Sequence, residues 1–179
     1  MQPIPLTPIR IDRNHARYLQ LLNWPFGASA FYESQVTRLL HHDIPQRMAY
    51  GACECWIYSD PDGHDIGFST LQVSSEYSQF TNGRPHAYIP LLAVNPGFMR
   101  RGHGHSIVQH LIEESRAILA RTRIMAEFVF LDVYSANQKA IGVYQKAGFE
   151  ILNPDAPIDD PDENRERYFV MAKHLKPIV

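Results

Sequence analysis

With 179 residues, the chain has room for one domain with a full core and not for two, so a single domain over residues 1–179 is expected. Hydrophobic residues at 45% and charged residues at 20% lie near globular averages and exclude a disordered or fibrous chain. Seventeen Lys and Arg against nineteen Asp and Glu leave a formal charge of −2, which argues against a nucleic-acid partner. The longest apolar runs fall far below the ~18 residues of a membrane span.

In chain order, Met1-Gln2-Pro3-Ile4-Pro5 lacks the charged and then apolar pattern of a secretory signal, and a cytoplasmic setting is expected. Residues 4–11 read as a short strand, and Asp12-Arg13-Asn14 offers a cap for a helix from about 15 to 22. A second helix is expected from about 29 to 41, where Phe31, Val36, Leu39 and Leu40 make an approximate apolar face. Residues 52–59 and 66–75 are β-rich runs joined by Asp60-Pro61-Asp62-Gly63-His64-Asp65, which predicts a hairpin. Cys53 and Cys55 fall on one face of the first run. They are spaced poorly for a disulfide, have no second pair to make a zinc site, and read as small apolar fillers.

Asn82-Gly83 precedes a strand over 87–94, and a helix follows from about 104 to 121 with Ile107, Val108, Leu111, Ile112, Ile118 and Leu119 at helical spacing. A strand over 128–134 comes next, then a helix over 138–147 capped by Asn137 and ended by Gly148. Strands over 149–152 and 167–174 close the chain around a polar loop, 153–166. Strands alternating with helices after a hairpin predict an α/β chain with a mixed parallel and antiparallel sheet.

The chemistry concentrates in two stretches. From Leu91 the sequence runs L-L-A-V-N-P-G-F-M-R-R-G-H-G-H into an amphipathic helix. A glycine-bearing turn between strand and helix leaves backbone N–H groups unpaired at the positive end of the helix dipole, which makes an anion site. Gly102 and Gly104 keep side chains out of the way, and Arg100 and Arg101 bring charge suited to a diphosphate; a surface turn with two solvated arginines is the alternative. The glycine spacing fits neither a dinucleotide fingerprint nor a nucleotide triphosphatase loop. The second stretch, L-D-V-Y-S-A-N-Q-K-A-I-G-V-Y-Q-K-A-G-F from Leu131, puts Tyr144 on the helix face shared with Ala140 and Ile141.

Together, in this order and about 40 residues apart, the two stretches resemble the GNAT superfamily of acyl-CoA-dependent N-acyltransferases. Val94, Pro96, Gly102 and Gly104 fall in register with its pyrophosphate motif, and Asn137, Tyr144, Gly148 and Phe149 with its second motif, whose spacing is closest to enzymes that acetylate ribosomal-protein N-termini. Met99 stands where the family usually has Gln or Arg. Coarser similarity reaches over most of the chain, including Ile66-Gly67-Phe68 and the final strand.

The resemblance implies a central mixed sheet flanked by helices, with a splayed parallel strand pair that admits acetyl-CoA as co-substrate and no metal. It implies backbone contacts to the cofactor from Leu92, Ala93, Val94, Met99, Arg100, Arg101, Gly102, His103, Gly104 and His105, with Asn137 and Tyr144 completing the set. Pro90 cannot donate within a ladder and fits the break that opens such a cleft. Tyr144 is the expected general acid for the leaving thiolate. Glu76, His86, Tyr88 and Asp132 stay open as bases for the attacking amine.

The implied partner is an amine acceptor, a small molecule or a peptide, with room for a homodimer. Trp24, Phe26, Phe31 and Tyr32 offer either a pocket wall or ordinary core. Asp155, Asp159, Asp160, Asp162 and Glu163 offer either an attracting field or a solvated loop. His103 and His105 lack a third ligand at metal-binding spacing. The rival to an N-acetyltransferase is an acyl-CoA-binding module without turnover.

Overall fold

The computed structural model describes residues 5–24, 36–49, 53–155, 157–159 and 167–175. In chain order its elements are β1 (Thr7–Ile11), α1 (Ala16–Leu21), α2 (Ile44–Ala49, entered through a π-helical turn at Leu39–Asp43), β2 (Cys53–Ser59), β3 (Asp65–Ser74), β4 (His86–Tyr88) and β5 (Leu92–Val94). Then come α3 (His103–Thr122), β6 (Phe128–Tyr134), α4 (Gln138–Lys146), β7 (Glu150–Ile151), β8 (Ile158–Asp159) and β9 (Arg167–His174). They group into two units, one drawn from Met1–Gln72 and Leu91–Ile107, the other from Val73–Pro90 and Val108–Val179.

In the first unit, β1 pairs with β2, β2 with β3 and β3 with β5, all antiparallel. The β2–β3 hairpin turns where the sequence predicts it. Asp60 accepts hydrogen bonds from Gly63 N at its carbonyl (3.0 Å) and from His64 N at its carboxylate (2.8 Å), and Gly63 takes φ +84°. A register shift at Tyr58/Ser59 bends the start of the pairing. Alternation along the strands sends Cys53, Cys55, Ile57 and Phe68 to one face, where they pack with Tyr18 and Leu21 of α1 and with Leu40 and Ile44. Both cysteines are buried free thiols, the filler role expected of them.

The second predicted helix differs from the one described. Residues 29–35 of its expected span lie outside the described residues, and the helical path runs on past His41 to Ala49. Pro45 lacks the N–H that an ordinary helix would need there. The π-turn just before it, closed by Ile44 N donating to Leu39 O, widens the helix at that point.

The second unit holds a mixed sheet. β4 runs parallel to β6, with Ala87 opposite Val129 and Tyr88 opposite Phe130, while β6 pairs antiparallel with β9 along its full length. β7 and β8 also pair with β9. β8 was not expected, since two residues carry no readable period. The strand predicted over 87–94 is two strands interrupted at Pro90: the last hydrogen bond to β6 is Ile89 N to Phe130 O (2.9 Å), and beyond Pro90 the chain continues as β5, paired with β3. α3 buries Val108, Leu111, Ile112, Ile118 and Leu119 in this unit, all members of the periodic stripe read from the sequence, with Ser115 buried among them. Among the described residues no helix is long and apolar enough to cross a membrane.

Candidate functional site

The register of β5 decides which of its backbone groups face β3. Asn95 N donates to Ile66 O (2.8 Å) and Thr70 N to Leu91 O (2.9 Å). In an antiparallel pair the bonded residues alternate, so Ala93 directs its N–H and C=O into this ladder, opposite Phe68. Leu92 and Val94 turn theirs the other way. No strand of the first unit pairs with that edge among the described residues.

The loop that follows is shaped by its own side chains. Asn95 accepts from Gly97 N (3.1 Å) and donates to Asp65 O (3.3 Å), fixing a 3-10 turn at Pro96–Phe98. Met99 N donates to Pro96 O at 3.4 Å, and the Met99 side chain is half exposed. Arg100 takes φ +64° and Gly102 φ +87°. A positive φ is cheap for glycine and uncommon for arginine, and alternation of this kind turns successive N–H groups toward one concave side. Arg101 is exposed. Its guanidinium lies 5.4 Å from the centre of the Phe98 ring and donates to Gly97 O at 3.4 Å.

The first N–H of this helix to reach a backbone acceptor is that of His105, which bonds Gly102 O at 3.0 Å; Ser106 N follows at 3.3 Å. The N–H groups of Arg100, Arg101, Gly102, His103 and Gly104 have no acceptor among the described residues. Five donors therefore gather at the N-terminus of a helix of 20 residues, three before it and two in its first turn, where the dipole favours an anion. The His103 ring is buried, with Nδ1 unpartnered among the described residues. Burial, and then the Arg101 charge, push its pKa below the usual imidazole value, so it is neutral at physiological pH. The residue pattern points only to a backbone role for His103; its burial has no local signal, because it depends on what α3 packs against.

The second unit carries the other expected residues. Asn137 caps α4, its Oδ1 accepting from Ala140 N at 3.2 Å. Tyr144 is buried on α4 with its ring 6.0 Å from Phe149, whose N–H donates to Tyr144 O at 3.0 Å. Gly148 takes φ +89°, the left-handed residue expected to end this helix.

Of the four base candidates, three form a cluster. Tyr88 Oη donates to Asp132 Oδ1 at 2.6 Å, and His86 is fully buried two residues earlier on β4, while Glu76 is exposed. Burial, and then the Asp132 charge, raise the Tyr88 pKa well above the usual phenol value, so it stays a donor. Burial lowers the His86 pKa.

The other candidates are scattered. Trp24 packs against the apolar core of the first unit, whereas Phe26, Phe31, Tyr32, Asp160, Asp162 and Glu163 lie outside the described residues. Asp155 is exposed, and Asp159 is paired with Arg167 at 2.8 Å. Among the described residues, the group of side chains spaced to hold a metal ion is Asp60, Asp62 and His64, on the β2–β3 turn rather than at His103 and His105.

Comparison with known proteins agrees with this architecture. Mycothiol acetyltransferase of Propionibacterium freudenreichii subsp. shermanii is 28% identical over 96 residues, which is 54% of this chain and 27% of that protein. The match thus spans about a quarter of the relative's length. Among solved structures, the spermidine N-acetyltransferase from Vibrio cholerae in complex with CoA and spermine shares the fold with a TM-score of 0.62 at 16% identity, covering 95% of each chain. AtaTR bound with AcCoA does so with a TM-score of 0.64 at 18% identity, over 96% of this chain and 94% of that one. The model of the acetyltransferase (GNAT) family matches residues 16–149, and the chain belongs to that family.

Proposed function

We propose that the protein is an acetyl-CoA-dependent N-acetyltransferase acting on a primary amine. The observation that carries this reading is the run of N–H groups from Arg100 to Gly104, at the start of α3, that have no acceptor among the described residues. Such a cradle suits the diphosphate of coenzyme A, with Arg100 and Arg101 adding charge at its exposed side. The outward N–H and C=O groups of Leu92 and Val94 suit the amides of the pantetheine arm, as a strand edge suits any extended chain. Ala93 contributes position rather than hydrogen bonds.

Acetyl-CoA supplies an activated thioester. Attack by the neutral amine nitrogen forms the amide C–N bond, the C–S bond breaks, Tyr144 gives its hydroxyl proton to the departing sulfur, and the proton shed by the acylated nitrogen passes through solvent to restore the Tyr144 hydroxyl. Support for Tyr144 in this role is its place in the family's second motif and its firm seat on α4. Asn137 has the structural task of capping that helix and is proposed to contact the cofactor as well. The buried free thiols Cys53 and Cys55 support a reducing, cytoplasmic setting.

The acceptor is a small-molecule or peptide amine, and the spacing of the second motif adds the N-terminal amine of a protein to the set worth testing. The deciding experiment follows free thiol on incubation with acetyl-CoA and a panel of amines, beside calorimetric titration with acetyl-CoA. Thiol release that depends on an amine supports the enzyme. Binding without release on any amine means an acyl-CoA-binding module, and no binding overturns both.

A further inference from the structure

The second unit places one carboxylate in an aromatic surround. On one face of its sheet β6 carries Phe128, Phe130, Asp132 and Tyr134 at alternate positions, and β9 sets Val170 opposite Asp132 and Tyr168 opposite Tyr134. From β4, Tyr88 reaches across to donate to Asp132 Oδ1 at 2.6 Å. Tyr77 meets the Tyr88 ring edge-on at 5.6 Å and stacks on Phe130 at 6.2 Å. Asp132, Tyr134 and Tyr168 are half-buried, whereas Tyr77 and Tyr88 are buried. Asp132 thus stands between a sealed aromatic floor and two half-buried rings.

Two further observations point to a ligand rather than to packing. The parallel ladder with β4 stops at Ile89 and Phe130, so residues 131–134 of β6 have β9 on one side and no strand of this unit on the other. Asp132 lies on that open edge. Close by, His86 is fully buried, its ring tilted against that of Phe130 with centroids 4.3 Å apart, with Nδ1 3.4 Å from Arg84 O. That contact assigns the proton to Nδ1 and leaves Nε2 as a lone pair, and Nε2 has no partner among the described residues. A carboxylate, aromatic faces and a bare imidazole lone pair all favour a group that brings positive charge and N–H donors.

We propose that this cluster is the acceptor subsite and that it selects a primary alkylammonium. The charged head is met by Asp132, held in place by Tyr88, and the aliphatic stem lies against Tyr134 and Tyr168. The assignment rests on the reading of the protein as an amine acetyltransferase and narrows it to cationic acceptors. A half-buried carboxylate discriminates charge more sharply than an exposed one, because the field around it is less screened.

The full chain is titrated by calorimetry with n-butylammonium, phenethylammonium and alanyl-alaninamide, with n-butanol as the neutral control, and KM is measured for the best amine and for acetyl-CoA. Asp132→Asn keeps the acceptor for the Tyr88 hydroxyl and removes only the charge. It is expected to weaken amine binding and raise the amine KM by about tenfold or more with the acetyl-CoA KM unchanged. Tyr88→Phe is expected to act in the same direction by a smaller factor, and it decides the matter if Asp132→Asn fails to fold. An amine affinity indifferent to these changes, equal binding of n-butanol, or no amine binding by the wild type overturns the subsite. Failure of acetyl-CoA to bind instead overturns the acetyltransferase reading, and the amine titrations still decide the subsite separately.

Discussion

Gly67 on β3 lies directly beneath Ile107 on α3: a Cβ at Gly67 would run into Ile107 Cδ1 and stand 3.1 Å from the carbonyl oxygen of Ala93. The close approach seats the first turns of α3 on the β3–β5 pair, where Gly67 is opposite Val94. Gly67→Ala should therefore destabilise the protein by about 1–3 kcal/mol through overpacking. At this chain length each kcal/mol is about 2–4 °C in Tm. Ile107→Val removes the atom that the new methyl would strike, so the double variant should recover part of the loss. Thermal melts of the two single variants and the double variant check this, and strict additivity would contradict it.

Gly104 stands in the first turn of α3, one residue before the first N–H that finds a backbone acceptor. Gly104→Val should leave the helix in place, since valine is no worse than glycine in helix propensity, while its branched side chain crowds the donors from Arg100 to Gly104. The acetyl-CoA KM should rise about tenfold or more with Tm near that of the wild type. An unaltered KM would move the diphosphate away from this loop.

Much of this was readable in the residues, and what was not has particular causes. β6 and β9 fall where their apolar runs place them, and α4 begins at the Asn137 cap and ends before Gly148. Local chemistry dictates such elements. The run over 87–94 reads as one strand because its pattern is continuous; only the pairing shows that the ladder to β6 ends before Pro90 and that β5 continues beyond it without β6. Likewise the anion loop was legible from its glycines and arginines, whereas the orientation of Ala93 relative to Leu92 and Val94 required the register of β3. The hydrogen bond from Tyr88 to Asp132 joins residues 44 apart in sequence, and no periodicity could have paired them.

Tyr144 offers the cleanest test of the proposed proton transfer. Its ring is buried beside Phe149, so Tyr144→Phe preserves the packing and removes the hydroxyl alone. Turnover should drop by about 100-fold, at the lower end for a lost general acid, with acetyl-CoA affinity nearly unchanged. Single-turnover rates together with calorimetric titration of acetyl-CoA separate the two quantities. A variant with the wild-type rate would remove Tyr144 as the acid.

Stability should depend on pH in one direction through the imidazole range. His86, His103 and His110 all have pKa values lowered from the usual imidazole value, in each case chiefly by burial; Arg101 adds to the effect at His103, and Glu114 opposes it at His110. A histidine with a depressed folded pKa binds its proton in the unfolded chain first, so between the two values the unfolded state carries more protons and folding loses ground as pH falls. The stabilisation is complete above about pH 6.5, the unfolded value, and is lost progressively as pH drops through the folded values. Tm should thus fall on going from about pH 7.5 to about pH 5.5. His103→Leu, which removes a buried ring whose Nδ1 has no partner among the described residues, should flatten the slope. A wild-type Tm that holds constant across this window would mean that these rings are not held neutral by burial.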